Sequence, residues 1–184
     1  MLLLRSLIFI SLLTLHISAT SITLYNKCSH PVWPGIQPGA GKPVLASHGC
    51  AFDAHGRGKC ATGDCGGALF CNGIGGAPPA TLAEITLGSD QDFYDVSLVD
   101  GYNLAISITP IKGTGKCTYA GCVSDLNMYC CTGSYGSPQS CKPTAYSRIF
   151  KNACPRAYSY AYDDPTSIAT CTGGSYFLTF CPHH

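Results

Sequence analysis

The chain has 184 residues and a formal net charge of +1, with eleven Lys and Arg against ten Asp and Glu. No basic run is present to collect nucleic-acid phosphates or anionic lipid, so recognition has to come from local chemistry and not from a net field. What remains after a leader is one domain of ordinary size, long enough for a real core.

In chain order, Arg5 precedes an uncharged apolar run from Leu7 to Leu15, and small residues follow at Ser18 and Ala19. This is the pattern of a secretory signal peptide over residues 1–19, with the mature chain beginning at Thr20. A membrane anchor needs roughly 20 apolar residues, and this run breaks at His16 and Ser18. An oxidising destination gives the thirteen cysteines their meaning as a disulfide framework. No C-x-x-C occurs, which argues against zinc, and the odd count leaves at least one thiol without an intramolecular partner.

Strand-like segments follow at Ile22 to Tyr25, Thr81 to Leu87, Phe93 to Val99, Leu104 to Thr109 and Tyr176 to Phe180, separated by Gly, Pro and Asn. In Thr81 to Leu87, alternation buries Ile85 and Leu87 and turns Glu84 and Thr86 away. In the next strand it places Tyr94, Val96 and Leu98 on the core face, with Asp95 and Ser97 opposite. Leu104, Ile106 and Ile108 form the following apolar face, and matching the two predicts a hairpin with Val96 opposite Ile106 across a three-residue loop or bulge at Asp100-Gly101. The best helical segment is short, Thr144 to Asn152, with Tyr146, Ile149 and Phe150 on one face and Pro143 just before it. Many short strands and few helices give an all-β sandwich or barrel. Clustered Gly, Pro and Cys from Lys112 to Pro143 add a small disulfide-rich lobe, taken as about residues 112–172.

Several residues invite chemistry that their surroundings do not support. His30, His48, His55, His183 and His184 have no nucleophile or metal-ligand spacing around them and read as solvated. Asp64 reads as a hydrogen-bond acceptor inside a tight bridged loop. Trp33 and Tyr102 read as packing residues, with stacking on sugar rings as the alternative. Gly39-Ala40-Gly41-Lys42 lacks phosphate-loop spacing, and no Gly-x-Ser-x-Gly elbow is present. No metal and no cofactor is expected.

One segment is far more specific. Gly56-Arg57-Gly58-Lys59-Cys60-Ala61-Thr62-Gly63-Asp64-Cys65-Gly66-Gly67, closed by Cys71, resembles the signature of the plant thaumatin-like, pathogenesis-related family. The resemblance extends through Ile22 to Gly35, Pro78 to Glu84, Asp92 to Asn103, Tyr129-Cys130-Cys131-Thr132-Gly133, Tyr158 to Ser167 and Phe180-Cys181-Pro182. It implies a thaumatin-like β-sandwich over residues 20–184. It also implies the pairs Cys28–Cys181, Cys50–Cys60, Cys65–Cys71, Cys117–Cys171, Cys122–Cys154 and Cys131–Cys141. Cys130 is left as a free thiol, because in full-length members its partner lies in a segment that Asn127-Met128 here bypasses. A second segment, strand-forming and arginine-bearing, is missing between Ala46 and Gly49. A natural short form, a splice product and an imperfect gene model all give this pattern.

Family members have a cleft lined by an arginine and four carboxylates, and the resemblance transfers the carboxylates to Glu84, Asp95, Asp100 and Asp163; the arginine falls in the missing stretch. It implies a secreted, apoplastic, monomeric defence protein that binds β-1,3-glucan of fungal cell walls in this cleft. A weak endo-β-1,3-glucanase with Glu84 as acid and Asp100 or Asp95 as its partner is the catalytic alternative, with Glu84 raised in pKa by neighbouring carboxylates. A proteinaceous inhibitor or protease-resistant stress protein is the third reading. Direct membrane insertion is not expected, since no amphipathic cationic helix is present.

Overall fold

The computed structural model describes residues 19–37, 44–122, 143 and 145–182. Along them run β1 (Ile22–Asn26), β2 (Val32–Ile36), β3 (Val44–His48), β4 (Ala51–Phe52), β5 (Gly58–Lys59), β6 (Leu82–Thr86), β7 (Asp92–Ser97), β8 (Ile106–Ile111), β9 (Ala120–Cys122), α1 (Ala145–Ala153), α2 (Asp164–Ser167), β10 (Ala169–Cys171) and β11 (Ser175–Phe180). The strands form a five-stranded sheet ordered β10-β7-β6-β3-β2, a four-stranded sheet ordered β1-β11-β8-β9, and a small β4-β5 ribbon. The five-stranded sheet is antiparallel throughout, whereas β1 runs parallel to β11.

The two larger sheets face each other, and period-2 alternation supplies the core between them. Tyr94 and Val96 come from one sheet, and Ile106, Ile108, Tyr176, Leu178 and Phe180 from the other, all essentially inaccessible. Where the layers meet, the Tyr94 and Tyr176 rings lie 5.1 Å apart at 57°, and the Tyr176 hydroxyl donates a 2.6 Å hydrogen bond to the buried Asp92 carboxylate.

The expected hairpin between Phe93–Val99 and Leu104–Thr109 does not form. β7 pairs with β6 and β10, while β8 pairs with β11 and β9, so the chain crosses from one sheet to the other between them. Val96 and Ile106 are both fully buried because each points from its own sheet into the core that the two sheets share; as hairpin partners they would sit side by side in one layer. The crossing is anchored by Asn103. Its Oδ1 accepts from Thr81 N, and its Nδ2 donates to Ala46 O and Thr62 Oγ1. Asn103→Ala strands several partly buried groups and is expected to cost about 2 kcal/mol in chemical denaturation, with the sheets otherwise intact.

Two smaller expectations are also corrected. Leu87 is half exposed because β6 ends at Thr86, and the inward positions of that strand are Ala83 and, partly, Ile85. Ile149 is exposed: α1 turns Ser147, Phe150 and the adjoining Cys154 inward, the i, i+3, i+7 stripe. The side chain of Tyr146 lies outside the described residues.

Among the described residues five bridges close: Cys28–Cys181, Cys50–Cys60, Cys65–Cys71, Cys117–Cys171 and Cys122–Cys154. They coincide with five of the six pairs that the resemblance implies. Cys130, Cys131 and Cys141, with the N-terminal segment up to Ser18 on which the expected signal peptide falls, Gly39 to Lys42, His183 and His184, lie outside the described residues. No helix among the described residues is long and apolar enough to cross a membrane.

Candidate functional site

The face of β6 and β7 that turns away from the core carries the carboxylates. Leu82 stands opposite Ser97, and Glu84 stands directly opposite Asp95. Directly opposed residues on one face hold their Cβ atoms about 5 Å apart, so these two acids are forced together by register alone. After α1, the chain returns to cover them. Tyr158 N donates to Val96 O and Leu98 N donates to Tyr158 O, which lays Tyr158 along the edge of β7 where β10 ends.

A cavity of about 420 Å³ results, lined by Glu84, Asp95, Asp100 and Asp164 together with Ser97 and Tyr158. No cationic side chain among the described residues lines it. The Tyr158 hydroxyl donates a 2.6 Å hydrogen bond to Asp164 Oδ1, and burial followed by that bond pushes the phenol well above its ordinary range. Burial, then the neighbouring Glu84 and Asp164 charges, push Asp95 up to about 8. Glu84 is raised as well, first by burial and second by Asp100. Asp95 Oδ1 is buried and without a hydrogen-bond partner among the described residues. At neutral pH this pair therefore holds at least one proton, and the cleft presents a hydrogen-bond donor among acceptors.

Asp163, expected in the cleft, does not line it. Its Oδ2 is held at 2.8 Å by Lys151 Nζ and accepts from the backbone N and the hydroxyl of Ser159. Its neighbour Asp164, at the start of α2, faces the cavity in its place. Successive residues in a turn point apart, and Lys151 selects which of the two acids is withdrawn. The structure brings Glu84, Asp95 and Asp100 together, but the most proton-retaining group is Asp95, not Glu84, and its leading cause is burial more than crowding. Lys151 and Tyr158 escaped the sequence reading, because nothing local in their segments signals contacts made only on folding.

The remaining candidates sit elsewhere. Asp64 accepts from Cys60 N and Gly67 N and so ties its bridged loop. His30 and His48 stack at 5.6 Å near the surface, and Tyr102 is buried in the core. No set of three or more His, Cys, Asp or Glu among the described residues is arranged to hold a metal ion.

Fold, bridges and cleft together define a disulfide-framed β-sandwich with an acidic surface groove. The thaumatin family model matches residues 43–130 and 127–182. A thaumatin-like protein of Arabidopsis thaliana is 56% identical over 229 aligned positions, covering 94% of each chain. Pathogenesis-related thaumatin-like protein 3.5 of Cryptomeria japonica is 47% identical, covering 89% of this chain and 90% of its own. A Prunus avium relative named glucan endo-1,3-beta-glucosidase is 41% identical, with 89% and 91% covered. Among solved structures, the thaumatin-like xylanase inhibitor TLXI superposes with a TM-score of 0.52 at 22% identity, over 89% of this chain and 100% of that one. The chain belongs to the thaumatin family. The first alignment has more positions than this chain has residues, and the family match breaks at 127–130, where the shorter sequence skips a segment.

Proposed function

We propose that this protein is a secreted plant defence protein that holds β-1,3-glucan of fungal cell walls in the acidic cleft and disturbs the hyphal surface without needing turnover. The observation that carries this reading is four carboxyl groups around one cavity, with no cation among the described residues that line it and with Glu84 and Asp95 both pushed up in pKa by burial. Such a site is poorly suited to an anionic ligand. It suits a neutral polyol, whose hydroxyls donate to the ionised carboxylates and accept from the protonated one. The pathogenesis-related name of the Cryptomeria relative supports a defence role.

The test is retention of the purified protein on insoluble β-1,3-glucan. Wild type is expected to be retained, and the Glu84→Ala, Asp95→Ala double variant to bind at least about tenfold more weakly. Absence of retention by the folded wild type overturns the reading.

The raised carboxyl pair favours one second reading, slow endo-hydrolysis, in which a protonated acid serves the leaving oxygen and Asp100 or Asp164 acts as base or nucleophile. The Prunus relative's name points the same way. Under this reading Glu84→Gln abolishes release of reducing ends while folding and glucan retention persist. Hydrolysis that continues in that variant removes Glu84 from the role of acid.

A further inference from the structure

Between β2 and the loop closed by the Cys65–Cys71 bridge lies a second groove of about 640 Å³, with walls including Gly35, Ile36, Gln37, Leu69, Phe70 and Asn72. Its chemistry differs from that of the cleft, since none of the described residues that line it is charged. Phe70 is 72% exposed, a ring held out to solvent by a bridged loop. Gln37 is the reverse: only 9% exposed, with its Nε2 buried and without a hydrogen-bond partner among the described residues. Leaving an amide donor unsatisfied in this way destabilises the free protein, and any ligand that brings an acceptor relieves that cost.

Register places this groove on the same face as the acidic cleft. Gly35, Leu45, Leu82 and Ser97 stand opposite one another across β2, β3, β6 and β7. Gly35 lines the new groove, and Leu82 and Ser97 line the cleft. Leu45, between them, is buried under Cys71 and Gly76: a Cβ on Gly35 would meet Cys71 Sγ at 3.1 Å, and one on Gly76 would meet Leu45 Cδ1 at 3.0 Å. The two sites are thus two to three strand spacings apart, about 10–15 Å.

We propose that this groove is a second saccharide subsite. It takes a neutral sugar unit whose C–H face lies on Phe70 and whose oxygen accepts from Gln37 Nε2 once a change of side-chain rotamer turns that buried amide into the groove, on the same glucan chain that occupies the cleft. The proposal rests on the glucan-binding reading for its choice of sugar. A sugar ring offers both an apolar face and acceptors, which an uncharged groove with one exposed ring and one idle amide calls for. An added peptide strand is disfavoured, because Pro34 removes a backbone donor from the middle of edge strand β2.

The experiment is an NMR titration of the intact ¹⁵N-labelled protein with a β-1,3-linked gluco-trisaccharide and hexasaccharide, following the Gln37 side-chain amide and the backbone signals of Glu84 and Asp95. The hexasaccharide is expected to shift the Gln37 amide and to bind about tenfold more tightly than the trisaccharide. Phe70→Ala and Gln37→Leu each remove most of that gain and leave trisaccharide affinity unchanged. Gln37→Leu also melts no lower than the parent, since it deletes an unsatisfied donor. A Gln37 signal that stays in place at saturating hexasaccharide overturns the subsite; the cleft reading then stands if Glu84 and Asp95 respond and falls if they do not. A Gln37 shift without a cleft response upholds the subsite and removes the cleft as the glucan site. A shift produced by an extended apolar peptide, and not by the sugars, overturns the ligand class.

Discussion

At pH 7.5 the Asp95→Asn variant is expected to be more stable than the parent by about 2–4 kcal/mol, and the gain is expected to shrink toward pH 4. In the folded protein Asp95 holds its proton up to about pH 8, whereas an unfolded chain releases it near the ordinary aspartate value. Between those limits the native state binds more protons than the unfolded one. Stability from this group is therefore greatest in acid, falls as pH rises from about 4 to about 8, and levels off above. Asparagine has no proton to lose, so its urea-unfolding free energy is flatter over the same window. Glu84 is shifted in the same direction and leaves a residual slope. Parallel pH profiles for the two proteins would contradict this assignment. The same proton has a consequence for binding: the parent loses its donor above about pH 8, while the amide introduced by Asp95→Asn keeps one, so glucan retention by the variant is expected to persist into alkaline buffer.

Alternation is plainest in β11, where Tyr176, Leu178 and Phe180 are buried and Ser175, Phe177 and Thr179 are not, and in β7 from Phe93 to Val96; β1, which buries no residue, and β8, where Ser107 is buried between Ile106 and Ile108, were legible from their β-branched and apolar content instead. The strands that escaped the sequence reading did so for identifiable reasons. β2 contains Pro34 and Gly35, which read as a turn, yet an edge strand tolerates a proline whose missing N–H faces outward. β3 has four consecutive buried residues from Val44 to Ser47, since its outer face is covered by the bridged loop, and a strand covered on both sides shows no alternation. The false hairpin has a related origin: two apolar faces of equal period specify that the strands pack, but not whether they pair within one sheet or face each other across two. In the cleft, Glu84 and Asp95 were legible from strand phase alone. Choosing Asp164 over Asp163 was not, because that choice is made by Lys151, twelve residues from Asp163 and on another element.

That lysine supports the last prediction. Lys151 Nζ donates to Asp163 Oδ2 at 2.8 Å, to Ser167 Oγ at 2.8 Å and to Ala157 O at 3.2 Å, so all three of its donors are in use. The three acceptors span the segment that delivers Tyr158 and Asp164 to the cavity. Lys151→Met leaves the largely buried Asp163 carboxylate without its cation and is expected to cost about 3 kcal/mol, read by chemical denaturation. It is also expected to weaken glucan retention severalfold, because the wall bearing Asp164 is no longer clamped. Adding Asp163→Asn removes the stranded charge, and the double variant is expected to recover at least half of the lost stability. Stability recovered while retention stays weak places the binding loss in the position of Tyr158 and Asp164. Recovery of both together shows instead that the unpaired charge alone was responsible, and that the cleft wall holds its shape through the backbone bonds between Tyr158 and β7.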